Sequence, residues 1–285
     1  MANLIDVESP GYPLGVRAAE SLPELRDYLI QCRACPRLVW SRENVPARGF
    51  PGQRGWDKPV PGFGDPEASI AIVGLAPSAD GSNRTGRVFT GDPSGDFLYR
   101  ALYDAGFASQ PTAVSTDDGL TLNDIYITAS VKCVPPANKP TTGERDECNT
   151  FLVHELKLLE PSLRIVIALG GFGWHAALQA LAANGWTIPR PKPKFGHGVA
   201  VTLFRARDVR IDSGPNDDDA SVSAQSGYLS TAGNLDEGTP PGQGLTLLGC
   251  FHTSPQNTNT GKLTQDSLVS LLSRAKRLAH GKPRT

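Results

Sequence analysis

The chain has 285 residues, 39% of them hydrophobic, with a formal net charge of −1, 30 glycines, 24 prolines and five cysteines. That length favours one large domain with a sizeable core and many loops. No apolar run approaches the ~20 residues of a membrane span, and the near-neutral balance gives no general sign of a polyanion-binding surface.

In chain order, Leu22, Leu25 and Leu29 share one helical face, so residues 20–31 are predicted as a helix. The N-terminal MANLIDVESPGYPLG lacks the basic and apolar regions of a secretory signal, and a cytoplasmic protein is expected. Residues 44–66, rich in Pro, Gly and Arg, read as a long ordered loop. SIAIVG (69–74) reads as a short buried strand, followed by a glycine-rich loop over 75–93. Ser94 is expected to cap a helix carrying Phe97, Leu98, Ala101, Leu102 and Ala105. NDIYITASV (123–131) reads as a strand, Thr142 to Leu159 as a helix, and LRIVIALG (163–170) as a third strand that leads into a helix ending near Ala183. Two more strands are expected at 199–204 and 245–250. A final amphipathic helix carries Leu268, Leu271, Leu272, Ala275, Leu278 and Ala279. Between the last two strands, residues 208–243 hold seven acids against Arg210 alone, which leaves the rest of the chain mildly basic. This segment is rich in Ser, Gly, Asp and Pro and reads as a flexible, dispensable insertion.

Strands that alternate with helices predict a single α/β domain of three layers around a largely parallel sheet. The glycine loop and the loop after the last strand both follow the carboxyl end of a strand, the edge at which open parallel sheets bind ligands.

Four of the cysteines form two pairs, Cys32 with Cys35 and Cys133 with Cys148. Two pairs of thiolates suit a tetrahedral metal or an iron–sulfur cluster, and spacing does not choose between them. A thioredoxin-like redox pair is less suited, because that motif follows a strand of a βαβ unit and Cys32–Cys35 follows a predicted helix. Cys250, inside the last strand, reads as a buried apolar residue.

GLAPSADGSNRTGRVFTGDPSGDF (74–97) lacks the lysine of a P-loop and is not a dinucleotide fingerprint. Its small residues allow close backbone approach to a ligand, with Phe89 able to stack on a flat one. Asp92, before Pro93, suits a cap or turn as well as a site. Asn138 offers a donor and an acceptor together, as reading a base edge requires, yet it also suits a turn. His252 closes an apolar run and opens a polar loop. There a neutral imidazole can donate to a developing anion without an acid partner. Locally, each of these residues also has an ordinary structural reading.

Three segments together resemble the family 5 (type B) uracil-DNA glycosylases: GLAPSADGSNRTGRVFTGD (74–92), VKCVPPANKPT with the four-cysteine pattern, and HTSPQNTNTGKLT (252–264). Roughly residues 20–204 and 245–280 fall within the resemblance. Leu75 stands where the related family 4 enzymes carry an acid. The resemblance implies an α/β/α sandwich around a four-stranded, mainly parallel sheet, and a structural [4Fe–4S] cluster on Cys32, Cys35, Cys133 and Cys148. It implies uracil held by Gly74, Leu75, Ala76 and Pro77, stacked on Phe89 and read by Asn138. Asp92 would position water and stabilise the sugar cation, His252 would stabilise the leaving base, and Asn257 would support the same loop. The expected partner is DNA carrying uracil or another deaminated base such as hypoxanthine, met by a monomer and with no membrane involved. No lysine nucleophile is evident, which points to a monofunctional enzyme. Two other classes stay open on the residues: a non-catalytic iron–sulfur or zinc protein that binds nucleic acid, and a hydrolase of free nucleosides.

Overall fold

A computed structural model describes residues 11–13, 15–46, 55–205 and 244–281. The acidic segment read as an insertion lies outside the described residues. After a 3-10 turn at Val16–Ala18, two helices, α1 (Leu22–Leu29) and α2 (Pro36–Asn44), flank the first cysteine pair. There follow β1 (Phe63–Gly64), β2 (Ile70–Gly74), α3 (Ser82–Thr85), α4 (Pro93–Asp104), β3 (Ile125–Ala129), α5 (Thr142–Leu159), β4 (Ile165–Leu169) and α6 (Gly170–Ala183). The described chain closes with β5 (Ala200–Leu203), β6 (Leu245–Cys250), α7 (Pro255–Thr258) and α8 (Gln265–His280).

The strands form one sheet in the order β1-β3-β2-β4-β6-β5. The four parallel strands expected are its centre, β3-β2-β4-β6, and each edge carries an antiparallel strand, β1 on β3 and β5 on β6. β2, β3 and β4 are buried along their whole length, as strands covered on both faces must be. Successive side chains point to opposite faces. Ile70 and Ile72 of β2 join Ile125, Ile127, Ile165 and Ile167 against α4 and α8, while Ala71 and Val73 join Val166 and Ala168 against α5 and α6. Among the described residues no helix is long and apolar enough to cross a membrane.

This strand order sets the place of the site. The chain leaves β2 to one side for β3, then returns past it to β4. The seam between β2 and β4 is therefore the point where the winding reverses, and a crevice opens beyond the strand ends there. The glycine loop leaves β2 at that seam.

Some local expectations need correction. The long loop predicted from residue 44 is preceded by α2, which the sequence reading did not identify; its apolar residues are too few to announce a helix. Ser94 does not cap α4. Asp92 does, accepting from the Gly95 N–H at 2.9 Å, because Pro93 fits the first helical turn, where its missing N–H costs nothing.

Candidate active site and cysteine cradle

The carboxyl ends of β2 and β6 bring the predicted residues together. Gly74 closes β2, and the Phe89 ring lies across it: a Cβ at Gly74 would stand 2.7 Å from Phe89 Cζ and 2.8 Å from Cε2. Phe89 itself has φ +52°, a left-handed conformation costing about 1–2 kcal/mol for a residue with a side chain. Its surroundings hold it there. The Phe89 N–H donates to Ser82 Oγ at 3.0 Å, and Gly95 leaves room for the Phe89 carbonyl, which any Cβ at that position would strike. The Tyr99 hydroxyl donates to the Val88 carbonyl at 3.0 Å, and buried Arg87 forks onto Asp118 at 2.9 and 2.7 Å, which anchors the loop from below. Sequence reasoning missed Ser82 and Arg87. Neither carries a local signal, since their partners are distant or become adjacent only once the loop has folded.

His252 lies two residues beyond the end of β6, and its ring faces Phe89 with centroids 6.1 Å apart. Gly170, at the β4–α6 junction, sits beside His252, with Cβ to Cβ only 3.6 Å if it had one. Burial pushes the His252 imidazole below its ordinary value, against a smaller opposing pull from the Asp92 carboxylate. The ring is therefore neutral near pH 7, with one N–H to donate. Asn257 Nδ2 donates to the His252 carbonyl at 2.7 Å, so Asn257 braces the loop that presents the ring. The residue before His252 is braced too. The Phe251 N–H donates to His197 Nδ1 at 3.2 Å, and the two rings stack at 4.9 Å. His197, which the sequence did not single out, thus fixes the end of β6.

Both Asp92 oxygens are engaged. Oδ1 caps α4, and Oδ2 accepts from the Ser78 hydroxyl, which in turn accepts from the Gly81 N–H at 3.1 Å. The structural role weighed for Asp92 is thus present, and it fixes the carboxylate in place close enough to His252 to act on it. Of the residues predicted to hold a base through their backbone, Pro77 has no N–H and Gly74 lies within the sheet ladder. No backbone carbonyl among the described residues accepts from the Leu75 or Ala76 N–H, which leaves those two donors at the crevice.

Asn138 is carried by a 3-10 turn, Pro136–Asn138, beyond β3. Its loop runs beside the glycine loop: the Ser130 N–H donates to the Gly74 carbonyl at 2.9 Å and the Val131 N–H to the Leu75 carbonyl at 3.1 Å. Asn138 is exposed, with φ +55°, and Ala137 before it has φ +53°.

Cys32, Cys35, Cys133 and Cys148 line one cavity, together with Arg42 and Tyr12. Cys32 and Cys35 lie between α1 and α2, Cys133 follows β3, and Cys148 is on α5. Among the described residues no three His, Cys, Asp or Glu side chains are disposed to hold a metal ion. The four thiols share one cavity, a donor set whose chemistry suits a metal or an iron–sulfur cluster. The donors around them agree. Arg42 Nη1 lies 3.2 Å from Cys133 Sγ, and the Lys132 N–H lies 3.3 Å from Cys148 Sγ. Both are hydrogen bonds that thiolate sulfurs use. Burial and the neighbouring sulfurs push the Cys35 thiol up to about 12 and Cys148 well above its ordinary value. Arg42 is buried and turned toward the cysteines. Cys250 is fully buried in β6, as expected. Ala76 of the glycine loop packs with Leu38, Val131 and Cys133, which joins the cradle to the crevice.

A profile of the uracil DNA glycosylase superfamily matches residues 61–276. The chain is 42% identical over 264 residues to the type-5 uracil-DNA glycosylase of Mycobacterium bovis, covering 92% of this chain and 83% of that one. It is 42% identical over 253 residues to the type-5 enzyme of Thermus thermophilus, covering 88% and 95%. With the type-5 enzyme of Pyrobaculum aerophilum the identity is 38% over 248 residues, covering 87% and 88%.

Proposed function

We propose that this chain, which belongs to the uracil DNA glycosylase superfamily, is a type-5 uracil-DNA glycosylase that hydrolyses the N-glycosidic bond of a flipped-out uracil and leaves an abasic site. The observation that carries this reading is the pairing of Phe89, whose ring edge abuts Gly74, with a neutral His252 facing it across the crevice. Extruding the base costs a few kcal/mol of stacking and pairing, least where uracil is mispaired with guanine. Phe89 offers the stacking surface that replaces the lost neighbours. Asn138 reads the uracil edge with its amide, which supplies a donor and an acceptor together.

Breaking the bond places negative charge on the base and positive charge on the sugar. The N–H of His252 and the free N–H groups of Leu75 and Ala76 meet the first, as fixed donors that need no reorganisation. Asp92, held by Ser78 and by the α4 N-terminus, is a fixed anion for the second and orients the incoming water. With both oxygens engaged, it acts through its charge and position. Asn257 keeps the His252 loop in place. Cys32, Cys35, Cys133 and Cys148 would hold a [4Fe–4S] cluster, which supplies a structural tie between the N-terminal helices and the loop after β3. Counting iron and inorganic sulfide against zinc in the purified protein tests that assignment. Hypoxanthine and other deaminated bases extend the proposed range, since a stacking platform and a few fixed donors tolerate more than one flat base.

A duplex oligonucleotide with one uracil opposite guanine tests the function. Strand cleavage that appears only after alkali, and is lost in His252→Ala, is expected. Normal DNA affinity without base release would show a binding protein instead, and turnover of free deoxyuridine a nucleoside hydrolase.

A further inference from the structure

The two left-handed residues of the Asn138 turn raise the question of what holds it. The turn's own bonds, from the Asn138 N–H to the Pro135 carbonyl and from the Lys139 N–H to the Pro136 carbonyl, are each 3.1 Å long. They do not fix where the turn sits on the protein. One side chain from outside it does. Arg37 of α2 donates through Nη2 to the Lys139 carbonyl at 3.1 Å, one residue beyond Asn138. The same guanidinium forks onto Glu144, Nε to Oε1 and Nη2 to Oε2, both at 2.7 Å. Glu144 in turn accepts from the Thr141 N–H at 2.8 Å and belongs to the capping box of α5. Arg37 therefore ties three things together: α2, the start of α5, and the turn that presents Asn138. A lysine cannot do this, because one ammonium lacks the planar fork that reaches carboxylate and carbonyl at once.

We propose that Arg37 is a positioning residue for base recognition, which holds the 136–139 turn in its left-handed form so that the Asn138 amide faces the crevice. The inference rests on the base-reading role given to Asn138 above. Arg37 does this from an exposed position, its guanidinium engaged with a carboxylate and a carbonyl of the protein.

The test is a double-mutant cycle on the whole, cluster-loaded protein, read by single-turnover excision of uracil and of hypoxanthine from otherwise identical duplexes. Arg37→Met is expected to lower kcat/KM for uracil by about tenfold to a hundredfold, the cost of a misplaced recognition group. In an Asn138→Ala background the same change should cost less than about threefold, because the group it positions is gone. Arg37→Lys should resemble Arg37→Met and leave the salt dependence of DNA binding unchanged. If Arg37→Lys restores wild-type rates, or if Arg37→Met and Asn138→Ala lower the rate additively, Arg37 acts as a charge or as general scaffold and the inference fails while the reading of Asn138 stands. If Asn138→Ala itself leaves uracil excision unchanged, the base-reading role fails and the inference with it. Should Arg37→Met not fold, Glu144→Gln, which weakens the fork and keeps the cap, takes its place in the cycle with the same criteria.

Discussion

Gly74→Ala is the sharpest probe of the crevice, because it adds one methyl group to a backbone whose conformation already accepts it. Gly74 lies in β2 and is not in the left-handed region, so alanine meets no backbone strain. The methyl would stand 2.7 Å from Phe89 Cζ, whereas carbon atoms settle at about 3.5–4.0 Å. The ring must move by roughly 1 Å, and a displacement of that size at a reacting group can lower a rate about a hundredfold. The stability cost lies within the ~1–3 kcal/mol of ordinary overpacking, which shifts the melting temperature by several degrees at most for a chain of this size. Single-turnover uracil excision and thermal unfolding, measured on the same preparation, separate the two effects. Gly74→Ala should be inert in a Phe89→Ala background, since no ring remains to displace. A wild-type rate in Gly74→Ala would refute the idea that the position of Phe89 matters to catalysis, and an equal loss in both backgrounds would place the fault elsewhere in the sheet end.

The pH profile follows from His252. Burial lowers its pKa, so the folded protein favours the neutral ring: stability is fully present above the ordinary histidine value of about 6.5 and is lost as pH falls through the folded value. His197, lowered by burial as well, adds to the same window. Excision should therefore be flat near pH 7 and fall on the acid side; a rate that climbs below pH 6.5 would show that the imidazolium is the working form. Asp92→Asn can keep the α4 cap while removing the charge, and should lower the single-turnover rate about a hundredfold with little change in melting temperature. Weaker DNA binding with an intact rate would remove Asp92 from the chemical step.

The strand pattern was legible because the central strands are short, apolar runs bounded by turn residues. Ile70–Gly74 and Ile165–Leu169 fall inside the segments read from the sequence. α2 was not legible, since Leu38 and Val39 are adjacent and no further leucine, isoleucine or valine follows at helical spacing within it. β1, two residues long, carries no periodicity at all. In the site, Phe89, Asn138 and His252 each had an ordinary local reading as well, and their assignment came from the three motifs taken together. What they rest on could not be read that way. Arg37 and His197 act through partners 107 and 54 residues away, and Ser82 and Gly95 meet Phe89 only once the glycine loop has folded back on itself. Asp92 shows the limit of single-residue reasoning, as capping a helix and standing near His252 are compatible and the structure has it doing both.

The register of β6 on β4, Ile165 against Thr246 through Leu169 against Cys250, also sets when the crevice is completed. Phe89 and the glycine loop belong to the first parallel strand to leave the ribosome, and His252 to the last. A nascent chain that has paired only β2, β3 and β4 already carries the stacking platform but has no donor opposite it, and the β4 edge that β6 will cover is still bare. Local opening of β6 in the finished protein recreates that state. The last strand to dock therefore withdraws the leaving-group donor whenever it frays, and hydrogen-exchange protection of Leu247, Leu248 and Gly249 reports on how often the crevice is complete.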